Sequence, residues 1–190
     1  MISMPEVQPL SVTSEPVDFE TVFHQYWPSI HRLLIRMVGD VDEAQDLAHE
    51  AFLRLHRRPG LLAAGQNPGG WLYRVASNLG YNALRSRRRR RQYEIEAGRR
   101  VMESNAALDP GHELERTEER AQVRAVLATM NPRSARILIL RQSGLSYAEL
   151  AAALNLAPAS IGKVLARAEL EFERKYRQSF LTMETPDASD

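Results

Sequence analysis

Gly144-Leu145-Ser146-Tyr147-Ala148-Glu149-Leu150-Ala151-Ala152-Ala153-Leu154-Asn155-Leu156-Ala157-Pro158-Ala159-Ser160-Ile161-Gly162-Lys163-Val164 decides the fold of the second half of this chain. Ser146, with Glu149 three residues on, is a full capping box that opens a helix over 147–154. Asn155 to Pro158 makes a tight turn, and a long final helix begins at Ala159. A short helix, a turn and a longer helix form a helix-turn-helix. Ala151, Ala152 and Ala153 let the two helices approach closely, while Leu150, Leu154, Leu156 and Ile161 close the core between them. The second helix then presents Ser160, Lys163 and Arg167, at i, i+3 and i+7, toward a DNA major groove, which is wide enough for a helix. A plain three-helix bundle with a short loop has the same local pattern, so the motif alone is only moderately specific.

Upstream, Asn131-Pro132 caps a short helix over 133–142 that Gly144 closes, and residues 114–130 carry another helical pattern. The first half repeats the theme. Phe19, Val22, Phe23, Tyr26, Trp27, Ile30, Leu33, Leu34 and Met37 recur at helical spacing up to Gly39, with Pro28 expected to kink or break the run. Asp40 caps a second helix and Glu43 makes a capping-box-like pair with it. Ala44, Leu47, Ala48, Ala51, Phe52 and Leu55 form the buried face. A loop rich in Gly and Pro follows, Asn67-Pro68 is a fair helix start, and a third helix runs from about Trp71 into the arginine run. No strand-like alternation appears. The expected fold is all-α, with two small helical domains at 18–91 and 113–181, a flexible linker at 92–112, and disordered tails at 1–17 and 182–190.

Charge is sorted along this frame. Trp71 to Arg91 holds seven arginines and no acid, whereas Met37 to Leu53 holds five acids and no Lys or Arg, in a chain of net charge +1. Such segregation in a balanced molecule points to two partners, one of them polyanionic. On the third helix Arg74, Asn78, Tyr81 and Arg85 form one stripe, in which amide and ring suit an unstacked base and arginines suit phosphates. Trp71, Leu72, Val75 and Leu79 read as core rather than as a wedge into DNA, and the run 87–91 reads either as a phosphate-binding arm or as a solvated helix end. Of 25 basic residues, all but Lys163 and Lys175 are Arg, which suits phosphate and base edges as well as it suits a GC-rich genome.

Composition narrows the classes further. The 190 residues include no cysteine, which excludes disulfides, CxxC redox chemistry and cysteine zinc sites. No apolar run approaches a membrane span, and residues 1–17 lack both the basic and the apolar segment of a signal peptide, so no membrane insertion and a cytoplasmic location are expected. Asp46-x-x-His49 with Glu50 has the look of half a carboxylate-bridged metal site, but no second such pair exists. Phosphate loops and nucleophile elbows are likewise absent, so neither an enzyme nor a cofactor is expected. His24, His31, His56 and His112 read as ordinary surface or boundary residues.

In this order and spacing, three stretches resemble the extracytoplasmic-function sigma factors of bacterial RNA polymerase: Val38-Gly39-Asp40 with residues 42–55, Trp71 to Leu79 with the trailing arginines, and Leu140-Arg141 with residues 145–151. The likeness covers about residues 18–175. It implies an initiation factor that binds core polymerase and promoter DNA, with an anti-sigma protein as a common further partner. The polymerase surface would comprise Asp46, Leu47, His49, Glu50 and Phe52. The melted −10 element would meet Arg74, Asn78, Tyr81, Arg85, Arg87 and Arg88. Ser160, Lys163 and Arg167 would meet base edges or groove in the −35 duplex, with Arg133, Arg136, Arg141 and Tyr147 on phosphates. His49 stands where the family usually has Gln; a neutral imidazole still hydrogen-bonds, so docking should survive with some pH dependence. Gly162 and Val164 stand where polar residues are usual, and the cap of that helix is poor. The rival reading is a stand-alone helix-turn-helix regulator, which has no need of the acidic second helix and for which no sensing domain is evident.

Overall fold

The computed structural model describes residues 15–96 and 112–183. These form seven α-helices: α1 (Phe19–Val38), α2 (Val41–His56), α3 (Pro68–Glu96), α4 (His112–Leu127), α5 (Pro132–Gln142), α6 (Tyr147–Leu154) and α7 (Ile161–Met183), with 3₁₀ turns at Pro59–Leu62 and Pro158–Ser160. No strand occurs among the described residues.

The first three helices wrap one core. Asp18 caps α1 by accepting the Thr21 amide at 2.8 Å, and Gly39, at φ 75°, ends it in the left-handed conformation. Pro28 does not break α1. It lies on the exposed side, while Val22, Tyr26, Ile30, Leu33, Leu34 and Met37 continue an unbroken buried stripe past it. Burying several such side chains at ~2 kcal/mol each outweighs the ~3 kcal/mol cost of an internal proline. Asp40 caps α2 through the Glu43 amide at 2.8 Å, yet the Glu43 carboxylate binds Arg87 of α3, so the expected box gives way to a tertiary pair. Asn67 caps α3 by accepting the Gly70 amide at 2.7 Å. Gly69 lets α3 lie against α1: a Cβ there would come within 2.5 Å of the Tyr26 ring.

The second half packs α5 on α7, with α6 and the end of α4 against them, around Ile137, Leu140, Leu145, Leu150 and Ile161. Ser146 and Glu149 make the full capping box, and Asn155 turns the chain at φ 53°. The two halves also touch. Helices α5 and α6 lie on α3, and the buried side chains of both halves form one continuous cluster.

The expected boundaries shift slightly. α3 continues to Glu96, past the arginine run. α7 continues to Met183. The Val17 amide, placed in the tail by sequence, donates to the Leu62 carbonyl at 3.0 Å. The remainder of the expected tails and linker (1–14, 97–111 and 184–190) lies outside the described residues.

Candidate polymerase and nucleic-acid interfaces

On α2, Asp46 and His49 are exposed and Glu50 is half-buried, paired with Arg54 at 2.7 Å. The other two expected surface residues face inward. Leu47 packs partly into the core, and Phe52 is 2% exposed, with its ring 4.9 Å from Phe23 and 5.7 Å from Trp27. As placed, the Phe52 ring belongs to the core and not to the exposed face of α2. The helical period explains this: Ala44, Ala48 and Phe52 are four apart and lie on the core side. By the same rule Val41, Gln45, His49 and Leu53 run along the solvent side, and Val41 and Leu53 are 57% and 51% exposed. These two apolar side chains, interleaved with Asp42 and Asp46, were missed by the sequence reading. His49 rests on Trp27, with ring centres 4.7 Å apart.

The stripe on α3 divides. Arg85 and Arg88 are exposed and Arg74 is half-buried. Tyr81 is 3% exposed, and its hydroxyl donates to the Met130 carbonyl at 2.6 Å. Burial pushes its phenol above the usual 10, so it remains a neutral donor. As placed, Tyr81 offers no platform for a base, contrary to the stacking role expected of it. Asn78 accepts a hydrogen bond from Arg136 of α5. Arg87, expected to touch DNA, instead donates to the Val38 carbonyl at 2.7 Å and pairs with Glu43, closing the α1–α2 corner. Arg54, Arg57, Arg58, Trp71 and Val75 line an open groove beside the base of α3, with the Arg58 guanidinium 5.7 Å over the Trp71 ring. None of the first three was among the expected site residues, although their place at the α2 terminus, next to a Gly/Pro loop, was the available signal.

In the second half Ser160 ends the 3₁₀ turn before α7, which starts at Ile161 and not at the expected Ala159; Ser160, and Lys163 and Arg167 on α7, are all exposed, as is Arg133. Arg141 donates to the Leu145 carbonyl at 2.9 Å and lies 5.5 Å over the Tyr147 ring, leaving Tyr147 half-exposed beside the capping box. Arg136 is half-buried on α3, and burial, then Arg133 nearby, holds its guanidinium below its usual pKa. Val164 packs against the core, which explains an apolar residue at that place. Gly162 is open, since a Cβ there would meet only Tyr147 at 3.8 Å. Among the described residues no three His, Asp or Glu side chains gather as metal ligands. No described helix is long and apolar enough to cross a membrane.

Among the described residues the protein is all-helical, with an acidic α2, a basic α3 and a helix-turn-helix made by α6 and α7. Family models agree in both halves: residues 22–90 match sigma-70 region 2 and residues 120–171 match sigma-70 region 4. The chain belongs to the sigma-70 family, in its extracytoplasmic-function branch. It is 30% identical over 144 residues to the ECF sigma factor SigE of Mycolicibacterium smegmatis, a match covering 73% of this chain and 53% of SigE. With the sigma factor YlaC of Bacillus subtilis it shares 26% identity over 84% of its own length and 92% of YlaC. Several other curated relatives are matched over only about a third to a half of their length, from 37% to 50%. In fold it resembles RpoE of Bartonella quintana, solved in complex with the anti-sigma factor NepR, at TM-score 0.53 and 21% identity, over 84% of this chain and 97% of RpoE.

Proposed function

We propose that this protein is a transcription initiation factor, binding bacterial core RNA polymerase in the cytoplasm and directing it to promoters through −10 and −35 elements. The observation that carries the reading is the pairing of the two sigma-70 region matches with two oppositely charged, exposed helix faces. Residues 18–91 serve polymerase and the −10 strand, and residues 113–181 serve the −35 duplex. The polymerase surface is Asp46, His49 and Glu50 with Val41, Asp42 and Leu53, an acidic patch with apolar anchors suited to a basic, partly apolar partner. Arg74, Arg85 and Arg88, with Arg57 and Arg58 in the adjoining groove, supply phosphate and base contacts on the melted strand. Ser160, Lys163 and Arg167 enter the −35 groove, while Arg133, Arg141 and Tyr147 hold its backbone. Binding bases only when they are unpaired favours the melted promoter, because a ligand shifts an equilibrium toward the state it binds better. Its action is recruitment rather than bond chemistry, and an anti-sigma protein is a fitting regulator of the exposed α2 face.

Fluorescence anisotropy of the labelled protein against purified core RNA polymerase tests this. Salt-sensitive binding that Asp46→Arg abolishes is the expected result. Absence of binding by folded protein would transfer the reading to a stand-alone DNA-binding regulator.

A further inference from the structure

Phe19, Phe23 and Trp27 stand four residues apart on α1 and make a row of rings along its seam with α2. The Phe23 ring centre lies 6.1 Å from that of Phe19 and 5.0 Å from that of Trp27. Four of the five histidines of the chain rest on this row. His56 meets Phe19 at 5.1 Å and His24 meets Phe23 at 5.9 Å, while His31 and His49 share Trp27, at 5.7 Å and 4.7 Å. The last two adjoin the surface assigned to polymerase. His49 stands on the exposed side of α2, one turn from Asp46 and two from Asp42. His31, on α1, is half-buried, and its Nε2 is shut from water with no hydrogen-bond partner.

The carboxylates of this face are only partly free. Asp40 caps α2, Glu43 pairs with Arg87 of α3, and Glu50 pairs with Arg54. Asp42 and Asp46 have no ion pair among the described residues. Other charged groups nearby are engaged as well. His24 lies 3.7 Å from Glu20, Arg32 turns back to the Pro28 carbonyl at 3.1 Å, and Arg124 of α4 lies over Gly39. Two imidazolium charges would therefore cancel the two free carboxylates.

We propose that His31 and His49, joined through Trp27, form a proton switch on the polymerase-docking face, which releases a basic partner as the pair gains protons. The proposal rests on the initiation-factor reading and adds the regulation of its α2 surface. Imidazole is the side chain that ordinarily changes charge between pH 5 and 8. Neutral rings pack on the indole and leave Asp42 and Asp46 to the partner. A proton on His49 gives Asp46 a counter-ion at i+3 on its own helix and sets a like charge against the basic partner. Doubly protonated, His31 carries a donor at its hidden Nε2 with nothing to accept from it, so the ring must turn off Trp27 toward water. Both steps oppose docking, and affinity declines as pH falls.

Fluorescence anisotropy of the full-length protein against core RNA polymerase at about pH 8 and about pH 5.5, at fixed salt, tests the switch. Each variant is compared by the ratio of its own two dissociation constants, so the titration of polymerase itself cancels. The native ratio should exceed that of the His31→Gln/His49→Gln double variant about 3- to 10-fold, the range of two surface charge pairs. Should thermal unfolding show that the double variant does not fold, His49→Gln alone, on the exposed ring, is expected to remove part of the effect. Trp27 reads the pair without polymerase. In a Trp71→Phe background it is the sole indole, and because an adjacent imidazolium quenches indole, its emission should fall with pH in the native pair and stay level in the double variant. Emission indifferent to pH overturns the switch. So does an emission change accompanied by equal affinity ratios in the native chain and the double variant. Absence of polymerase binding at both pH values strikes the initiation-factor reading and the docking role with it, while the emission still decides whether the pair senses protons.

Discussion

At the scale of single residues, Phe52 and Leu53 are neighbours in sequence with opposite duties. Phe52→Ala should remove a ring from the core and cost about 3–5 kcal/mol, seen as a large fall in Tm. Leu53→Ser should leave Tm nearly unchanged and weaken polymerase binding several-fold; an equal loss of stability in both variants would show the α2 surface to be misassigned. Arg87 is likewise a structural residue drawn from a basic run. Its hydrogen bond to the Val38 carbonyl and its pair with Glu43 predict that Arg87→Ala destabilises by about 1–3 kcal/mol in thermal unfolding, whereas Arg88→Ala, on an exposed neighbour, does not. Asp18 supplies a pH test. Hydrogen bonds from the Thr21 hydroxyl and then its amide hold the carboxyl below its usual 3.8. A carboxyl depressed in the folded state stabilises above its unfolded pKa and loses that contribution as pH falls through the folded value. The protection factor of the Thr21 amide, its exchange rate relative to an unstructured peptide at the same pH, should therefore hold above about pH 4 and fall below it, and Asp18→Asn should flatten this dependence.

Among the elements, α7 begins weakly and α6 begins well. Ala157 offers no side-chain cap, a 3₁₀ turn precedes α7, and Gly162 lies in its first turn. Gly162→Ala meets only ordinary contact with Tyr147, so it should stabilise the protein by up to about 1 kcal/mol. A clear fall in Tm would mean that Gly162 is needed for a closer approach than the structure has. Ser146→Ala should cost about 1 kcal/mol by opening the capping box on α6. The caps at Asp40, Asn131 and Ser146, like the helices, were legible because they are local, each depending on residues within four positions; the Asp18 cap went unread. The break that Pro28 could have caused did not occur, for the converse reason. Local rules weigh its missing amide, and only the assembled core reveals the buried stripe that holds α1 together across it.

For the whole molecule, the opposed charges of α2 and α3 predict two salt dependences. Polymerase and DNA binding should both weaken as salt rises, since each pairs unlike charges. By itself the sequence determined the helix count, the caps, the two charged segments and the helix-turn-helix spacing, since these follow from periodicity and charge along contiguous stretches. It also carried the motifs that place the chain in its family. Only the tertiary structure decided which polar groups on those helices remain free. Tyr81 finds Met130 across 49 residues and Asn78 finds Arg136 across 58, and no local pattern records such partners. A buried hydroxyl must be satisfied wherever the fold supplies an acceptor, so packing of the two halves turned residues suited to DNA into contacts between them.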